Sequence, residues 1–307
     1  MTATSLREDT TEQIIGVSPA LRRAVASADR FAPTSLSVLI VGETGTGKEL
    51  IARRIHRMSG RAGHLLDINC ASLRPELAES VLFGHRRGSF TGAFENTDGI
   101  VHAAARGTLF LDEIDSLHPE VQAKLLRFLD SGEFRRVGDV AKRQAGLRIV
   151  SAVHDGIRDR LSGGGFRQDL YHRLAMAVIR LPPLRERRED LKLLAAYFAG
   201  GEKVSLSKEF YRYLLRYDWP GNVRELKAFI ARAAIGAAGG ELGAAEFAEA
   251  QSCSAAGALL PNAAEAEWLR QLCEQAGANA EAAAALAGIP RSTSYRKLRK
   301  HGIRIFR

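Results

Sequence analysis

The chain has 307 residues, 46% hydrophobic and 26% charged, with a formal charge of +9. That balance excludes a disordered polar chain and fits a globular protein of two or three domains. No apolar run is long enough to cross a bilayer, and the polar stretch Met1–Thr11 has no signal-peptide core. Cys70, Cys253 and Cys273 are far apart, with no C-x-x-C and no paired histidines at metal-ligand spacing. They read as reduced, buried thiols in a cytoplasmic protein with no membrane partner.

Residues 1–13 read as a disordered N-terminus. From 14 to 181 strand-like and helix-like segments alternate, which predicts an α/β fold: a parallel sheet flanked by helices on both faces. The strands fall at Val38–Val41, Leu65–Ile68, Thr108–Leu111 and Leu147–Val153. Helices fall between them, for example over Glu49–Met58 and Pro119–Leu129.

The first strand runs into Gly42, Glu43, Thr44, Gly45, Thr46, Gly47 and Lys48, followed by Glu49 and a helix. This is the G-x-x-x-x-G-K phosphate loop in its strand–loop–helix setting. The glycines allow a tight turn, so backbone N–H groups can converge on phosphate oxygens beside the positive end of the helix. Lys48 can reach the outer phosphates as a point charge. Glu49 stands where the general motif has Ser or Thr for magnesium. The ion is therefore expected on water, phosphates and a distant acid.

That acid is Asp112. Thr108–Leu111 is an apolar strand ending in Asp112 and Glu113, at the sheet edge where open α/β folds bind ligands. A phosphate loop plus such a strand predicts a nucleoside triphosphatase. Asp112 would hold Mg2+ through its water shell, and Glu113 would orient and deprotonate the attacking water.

From 182 to 237 the pattern is helical, predicting an all-α subdomain. The Ala- and Gly-rich stretch 238–261 reads as a linker. Residues 262–307 carry three short helical patterns. Their last part, Arg291 to Arg307, has seven Lys or Arg and no acid, suited to a nucleic-acid partner. Trp268, Leu269 and Leu272 share helical spacing and read as core or dimer contacts.

The chain resembles the AAA+ domain of bacterial enhancer-binding proteins, activators of the sigma-54 form of RNA polymerase. The resemblance rests on the phosphate loop and on Asn69-Cys-Ala71, Leu82-Phe-Gly-His85 and Gly88-Ser-Phe-Thr-Gly-Ala93. It continues in Gly107–Ile114, Phe166-Arg-Gln-Asp-Leu-Tyr-His-Arg-Leu174 and Trp219-Pro-Gly-Asn-Val-Arg-Glu-Leu226. It implies a parallel-sheet ATPase subdomain (14–181), a helical lid (182–237), ATP and Mg2+ as cofactors, and a hexameric ring of this chain or of a paralogue.

The resemblance also implies roles. Gly88, Ser89, Phe90, Thr91, Gly92 and Ala93 match the family's sigma-contacting loop, with Ser89 replacing Ala, and Phe90 reads as an exposed aromatic. Asn69 matches the switch asparagine that can bind the catalytic glutamate. Arg167 and Arg173 match the arginine fingers that serve a neighbouring subunit, Arg224 the sensor arginine of the lid, and Gly16 the adenine contact. On residue type alone, Asn69 reads equally as a strand-end amide and the three arginines as surface residues.

Val153-His154 departs from the Thr-Asn usual there, so coupling of hydrolysis to movement is expected to differ. About a dozen residues precede the match, so no receiver or sensory domain is expected in this chain. Residues Asn279–Ile303 look like a Fis-type helix-turn-helix. Gly288 gives the turn, and Pro290 or Ser292 starts the next helix. Arg291, Ser294, Tyr295 and Arg299 would enter the major groove of double-stranded DNA at an upstream enhancer site, while Lys297 and Lys300 touch phosphates. Ile51-Ala-Arg-Arg-Ile-His56 with Met58-Ser-Gly-Arg61 is similar to the short Hrp-type regulators of type III secretion genes.

The expected function is ATP-driven activation of sigma-54 polymerase. The alternative is a DNA-binding regulator whose ATPase is weak or lost, acting as a repressor or as a hetero-oligomer partner.

Overall fold

In a computed structural model, residues 13–237, 240–252 and 273 are described. They form two compact units. One spans Pro19–Pro183, and the other joins Ile15–Ser18 to the chain from Leu184 onward.

The first unit runs α1 (Pro19–Phe31), β1 (Val38–Val41), α2 (Lys48–Met58), β2 (Leu65–Asn69), α3 (Pro75–Phe83), β3 (Gly84–His85), β4 (Thr97–Asp98) and α4 (Ile100–Ala103). It continues with β5 (Thr108–Asp112), α5 (Pro119–Ser131), β6 (Glu133–Phe134), β7 (Arg143–Gln144), β8 (Arg148–Val153), α6 (Ile157–Ser162), α7 (Gln168–Leu174) and β9 (Ala177–Arg180). Five strands form one parallel sheet in the order β2-β5-β8-β1-β9. The sequence predicts four of them. The fifth, β9, is an edge strand with alternate residues exposed; its apolar residues run on without a break from Leu174 at the end of α7, so no boundary marks it off.

Alternation sends the strands' side chains to two cores. Leu39, Val41, Leu109, Leu111 and Ile149 pack with Leu82, Leu125, Phe128 and Leu170 on the α3, α5 and α7 side. Val38, Ile40, Phe110, Val150 and Ile179 pack with Leu21, Ala28, Ile51 and Ile55 of α1 and α2. Burial on both faces explains why the central strands read as continuous apolar runs.

Arg148 opens β8 in the interior, 1% exposed. Its guanidinium donates to the carbonyls of Ala32 at 2.5 Å, Phe31 at 2.8 Å and Leu36 at 3.2 Å. A cation thus closes the open carbonyls at the C-terminal end of α1. Burial pushes its pKa down to about 10, so it stays charged at neutral pH.

The second unit holds α8 (Arg188–Gly201), β10 (Ser205–Leu206), α9 (Lys208–Arg216), α10 (Asn222–Gly236), β11 (Glu241–Leu242) and α11 (Ala244–Ser252). Phe210, Trp219, Phe229 and Phe247 meet edge-on or tilted at 4.9–6.1 Å around its core. Trp219 and Asn222 take left-handed backbone at φ 53 and φ 54. The Trp219 indole donates to the Leu214 carbonyl at 2.9 Å. The buried Asn222 amide oxygen accepts from the Leu184 N–H at 2.7 Å. The Trp-Pro-Gly-Asn stretch is thus a specific turn held by its own side chains.

Three expectations need correction. The second unit does contain strands: β10 and β11 pair in parallel over two residues each, too short to leave a pattern. Within 238–261, read as a linker, Ala244–Ser252 is a helix whose Phe247 and Ala250 are buried in the aromatic core. Its alanine content hid the periodicity. Residues 15–18, read as part of the first domain, group with the second unit because the wholly buried Asp190 binds them. Its carboxylate accepts from the Val17 N–H at 2.6 Å, the Ser18 N–H at 2.8 Å and the Ser18 hydroxyl at 2.7 Å. No helix among the described residues is long and apolar enough to cross a membrane.

Arg148→Met keeps most of the side-chain volume but leaves buried carbonyls without donors. It is expected to cost about 3 kcal/mol, read as a lower midpoint in urea unfolding. A midpoint equal to that of the native chain would contradict this account.

Candidate functional site

The phosphate loop leaves β1 at the centre of one half of the sheet, between β8 and β9. The Gly42 N–H donates to the Val153 carbonyl at 3.2 Å, which ties the loop's first residue to the end of β8. A Cβ at Gly42 would meet Leu181 at 3.1 Å and the Thr46 hydroxyl at 3.2 Å, so only glycine fits without displacement. Gly45 and Gly47 take left-handed backbone, φ 78 and φ 102. The buried Thr46 hydroxyl donates to the Glu43 carbonyl at 2.7 Å. Lys48 Nζ donates to the carbonyls of Gly42 at 2.9 Å and Glu43 at 3.1 Å, so the ammonium sits within the loop. Thr44 is exposed at its rim. The Glu49 carboxylate accepts from Arg53 one turn on, at 2.5 Å.

β5 lies two strands from β1, about 10 Å at the usual strand spacing. Its last residue, Asp112, is half-buried. Burial raises its pKa, and the Lys48 charge offsets part of that rise. One Asp112 oxygen accepts from the Glu113 N–H at 3.0 Å. Glu113 has left-handed backbone, φ 51 and ψ 43, uncommon for this residue type and costing about 1–3 kcal/mol. In the β2–β5 register Asn69 stands opposite Asp112, so sheet pairing brings it beside the two acids. Its side-chain oxygen accepts from the Ala71 N–H at 2.9 Å and caps a short turn. Cys70, next to it, is a buried free thiol whose pKa is pushed up to about 12 by burial and by the nearby acids, and it is unreactive.

The expected sensor position holds apolar Val153, buried in the core beside β5. His154 is exposed, its Nδ1 accepting from the Gly156 N–H at 3.5 Å. No polar side chain leaves β8 at Val153.

Arg167 precedes α7. Its guanidinium donates to Asp169 at 3.0 and 2.7 Å. Its N–H donates at 2.9 Å to Gln122, which is wholly buried and donates in turn to the Leu117 and Gly165 carbonyls. Arg173, in the last turn of α7, donates to Asp130 at 2.5 Å. Both guanidinium groups are half exposed. Gln122 was not legible in the sequence, where it reads as an ordinary helix-surface amide.

Gly88–Ala93 forms a closed tip. The Gly88 N–H donates to the Ala93 carbonyl at 2.8 Å and the Ala93 N–H to the Phe90 carbonyl at 3.0 Å. Gly88 and Gly92 take φ 80 and φ 102 with open space around them. Thr91 is exposed, Ser89 partly buried and Ala93 buried. Phe90 is not the exposed aromatic that the sequence suggests. It is half-buried, its ring edge-on to His85 with centroids 5.0 Å apart. The exposed ring is Phe94, 82% accessible, which the sequence reading missed. Its signal is an aromatic residue placed directly before the polar run Glu95–Asp98.

In the second unit, Arg224 is exposed on the first turn of α10, and Gly16 lies in the segment fastened by Asp190. The candidate DNA contacts Arg291, Ser294, Tyr295, Lys297, Arg299 and Lys300 lie outside the described residues, as does the predicted helix-turn-helix.

A parallel sheet with a phosphate loop at its switch point and two acids beyond a neighbouring strand defines a nucleotide-binding module of the AAA+ class. The Sigma-54 interaction domain family matches residues 14–180, more than half of the chain, and the AAA+ ATPase lid domain matches 185–258. The chain belongs to the sigma-54 interaction domain family.

It is 41% identical over 302 residues to the C4-dicarboxylate transport transcriptional regulatory protein DctD of Rhizobium meliloti, covering 94% of this chain and 64% of that one. It is 47% identical over 231 residues to the nitric oxide reductase transcription regulator NorR1 of Cupriavidus necator, covering 73% and 45%. The chain thus spans about half to two thirds of these relatives. Crystal structures of NtrX from Brucella abortus align with TM-scores of 0.71 for the ATP complex and 0.72 for the ADP complex. Identities are 32% and 30%, over 95% and 94% of this chain and 70% and 69% of NtrX.

The Asp112 shift predicts a trade between stability and function. A carboxyl whose folded pKa is raised binds its proton more tightly in the native state, so its contribution falls as pH rises past the unfolded value. At pH 7 Asp112 therefore opposes folding. Asp112→Asn is expected to raise the melting temperature at pH 7, with the gain vanishing near pH 3, while Mg-nucleotide affinity drops. Calorimetry at the two pH values checks it; an unchanged or lower melting temperature at pH 7 counts against the shift.

Proposed function

We propose that this chain is an ATP-hydrolysing activator of sigma-54 RNA polymerase that works as a ring and binds upstream DNA. The observation that carries the reading is the β2–β5 register, which brings Asn69, Asp112 and Glu113 to the same sheet edge as the Gly42–Lys48 loop. ATP binding by NtrX and the sigma-54 interaction match support the same assignment.

The loop N–H groups and Lys48 fit a triphosphate: the glycine backbone is already turned, and the ammonium is held by loop carbonyls it can exchange for phosphate oxygens. The Asp112 carboxylate fits Mg2+ through water. The ion would supply charge neutralisation on the phosphates. Glu113 takes the proton of the attacking water, and Asn69 steadies that carboxylate. Arg167 and Arg173 serve a neighbouring subunit's nucleotide, whether self or paralogue, by exchanging Asp169 and Asp130 for phosphate oxygens. Arg224 and Gly16 contribute from the lid side to the nucleotide.

The cycle moves the Gly88–Ala93 tip against the sigma factor. Residues 262–307 tether the ring to double-stranded DNA through Arg291, Ser294, Tyr295 and Arg299 at bases and Lys297 and Lys300 at phosphates. The setting is cytoplasmic.

The buried, apolar Val153 favours a second reading, a DNA-binding regulator with a weak ATPase acting as a repressor or as the passive half of a mixed ring. Steady-state hydrolysis separates the two. Lys48→Ala is expected to lower the ATPase at least about 100-fold and to abolish promoter opening. Thr91→Ala should keep at least half of the ATPase and lose sigma-54-dependent transcription in a purified system. Transcription that survives Thr91→Ala sinks the loop assignment; native protein with no measurable hydrolysis, with or without DNA, selects the second reading.

A further inference from the structure

The Gly88–Ala93 tip is fastened unequally. Its stem is held by backbone: β3 pairs with β4, Gly84↔Asp98 and His85↔Thr97, and the Arg86 N–H donates to the Val137 carbonyl at 3.0 Å. A Cβ at Gly84 would stand 2.4 Å from the Thr97 carbonyl oxygen, so the stem has no room to shift. Above the stem, Thr91 and Gly92 are exposed and the two glycines have open space. Side chains hold the tip at three places: Ser89 lies against Gly138, the Asn96 amide oxygen accepts from the Arg87 N–H at 3.0 Å, and the Phe90 ring rests on His85, the contact that is oriented from a helix.

His85 is itself oriented. Its Nδ1 lies 2.7 Å from the hydroxyl of Ser80, a buried residue in the last turn of α3. Ser80, His85 and Phe90 therefore form a line from the helix to the tip. The pairing with Thr97 and the bridge to Val137 fix the His85 backbone, leaving the ring's rotation to Ser80. An imidazole set by one hydrogen bond presents one edge, and an edge-on aromatic pair depends on that angle.

We infer that His85 is a positioning residue: through Ser80 it parks the Phe90 ring against the stem, and the tip becomes available to its partner only when that contact opens. This rests on the reading of Gly88–Ala93 as the sigma-contacting loop. The catch is weak by design. One aromatic edge contact shifts an equilibrium by about two- to tenfold, small enough for a hydrolysis cycle to reverse. Movement of α3 and release of the ring are linked, because α3 supplies the hydrogen bond that aims the imidazole.

The test uses the full chain. Phe90→Trp puts a reporter at the tip; Trp268 is replaced by Phe throughout, and Trp219 is buried and unchanged in every variant. Acrylamide quenching then reads exposure at position 90. Ser80→Ala leaves the imidazole in place and should raise the quenching constant about twofold. His85→Ala should do the same, and so should His85→Phe, which keeps an aromatic ring but cannot take the Ser80 hydrogen bond; full protection in His85→Phe would remove Ser80 from the catch. With native Phe90, sigma-54 capture without nucleotide should rise two- to tenfold in Ser80→Ala and His85→Ala, with ATPase within twofold of the parent.

Unchanged quenching in both alanine variants, at unaltered melting temperature, overturns the catch whatever the capture result. Failure of the native chain to capture sigma-54 in any nucleotide state, including an ADP–metal fluoride complex, overturns the functional reading instead, and the quenching result still decides the catch.

Discussion

The five strands of the first unit's main sheet point their carboxyl ends the same way, and everything proposed for the site depends on that shared polarity. A parallel sheet can be built only with long crossovers, so helices must cover both faces. The cover makes the interior dry and leaves one wet edge where the strand ends open into loops. The polar groups proposed for phosphate and water lie at that edge: the turn after β1, Asn69 and Asp112 closing β2 and β5, and Glu113 just beyond. Reversing one strand would send its terminal side chains to the far side of a closed core.

The sheet and its loop were legible in the sequence because their requirements are local. Strands buried on both faces must be apolar throughout, and a phosphate loop needs glycine where the backbone turns left-handed or packs too closely for a Cβ. Both demands leave marks in single residues. The edge strand Ala177–Arg180 is apolar for three residues, but that run continues from Leu174 at the end of α7, so nothing in it separates strand from helix. The helix Ala244–Ser252 leaves no mark either, because alanine serves core and surface alike and blurs the period. The segment 15–18 is a plainer case. What assigns it to the second unit is Asp190, roughly 170 positions away, and no local pattern announces a partner at that distance.

The site divides in the same way. Residue types at the nucleotide loop and strand end were readable, but which atoms already have partners was not. Lys48 satisfies loop carbonyls, Asn69 caps a turn, Arg167 and Arg173 hold Asp169 and Asp130, and Phe90 rests on His85. Each of these five groups has an internal partner before it meets a ligand or another subunit. Such partners keep charged and aromatic groups ordered at an exposed edge, where a lone side chain would lose rotamer entropy on binding. They also lower net affinity, since each contact must be exchanged rather than simply made.

The bond between the Asp112 oxygen and the Glu113 N–H has a further consequence. A left-handed residue after a strand is held only while something satisfies its amide, and here the satisfying group is the neighbouring acid. One oxygen of Asp112 is therefore tied to backbone geometry. Protonating or rotating Asp112 would slacken the turn that aims Glu113. Two carboxylates that look like independent tools thus behave as one jointed part, with the smaller acid acting as the wrist of the larger.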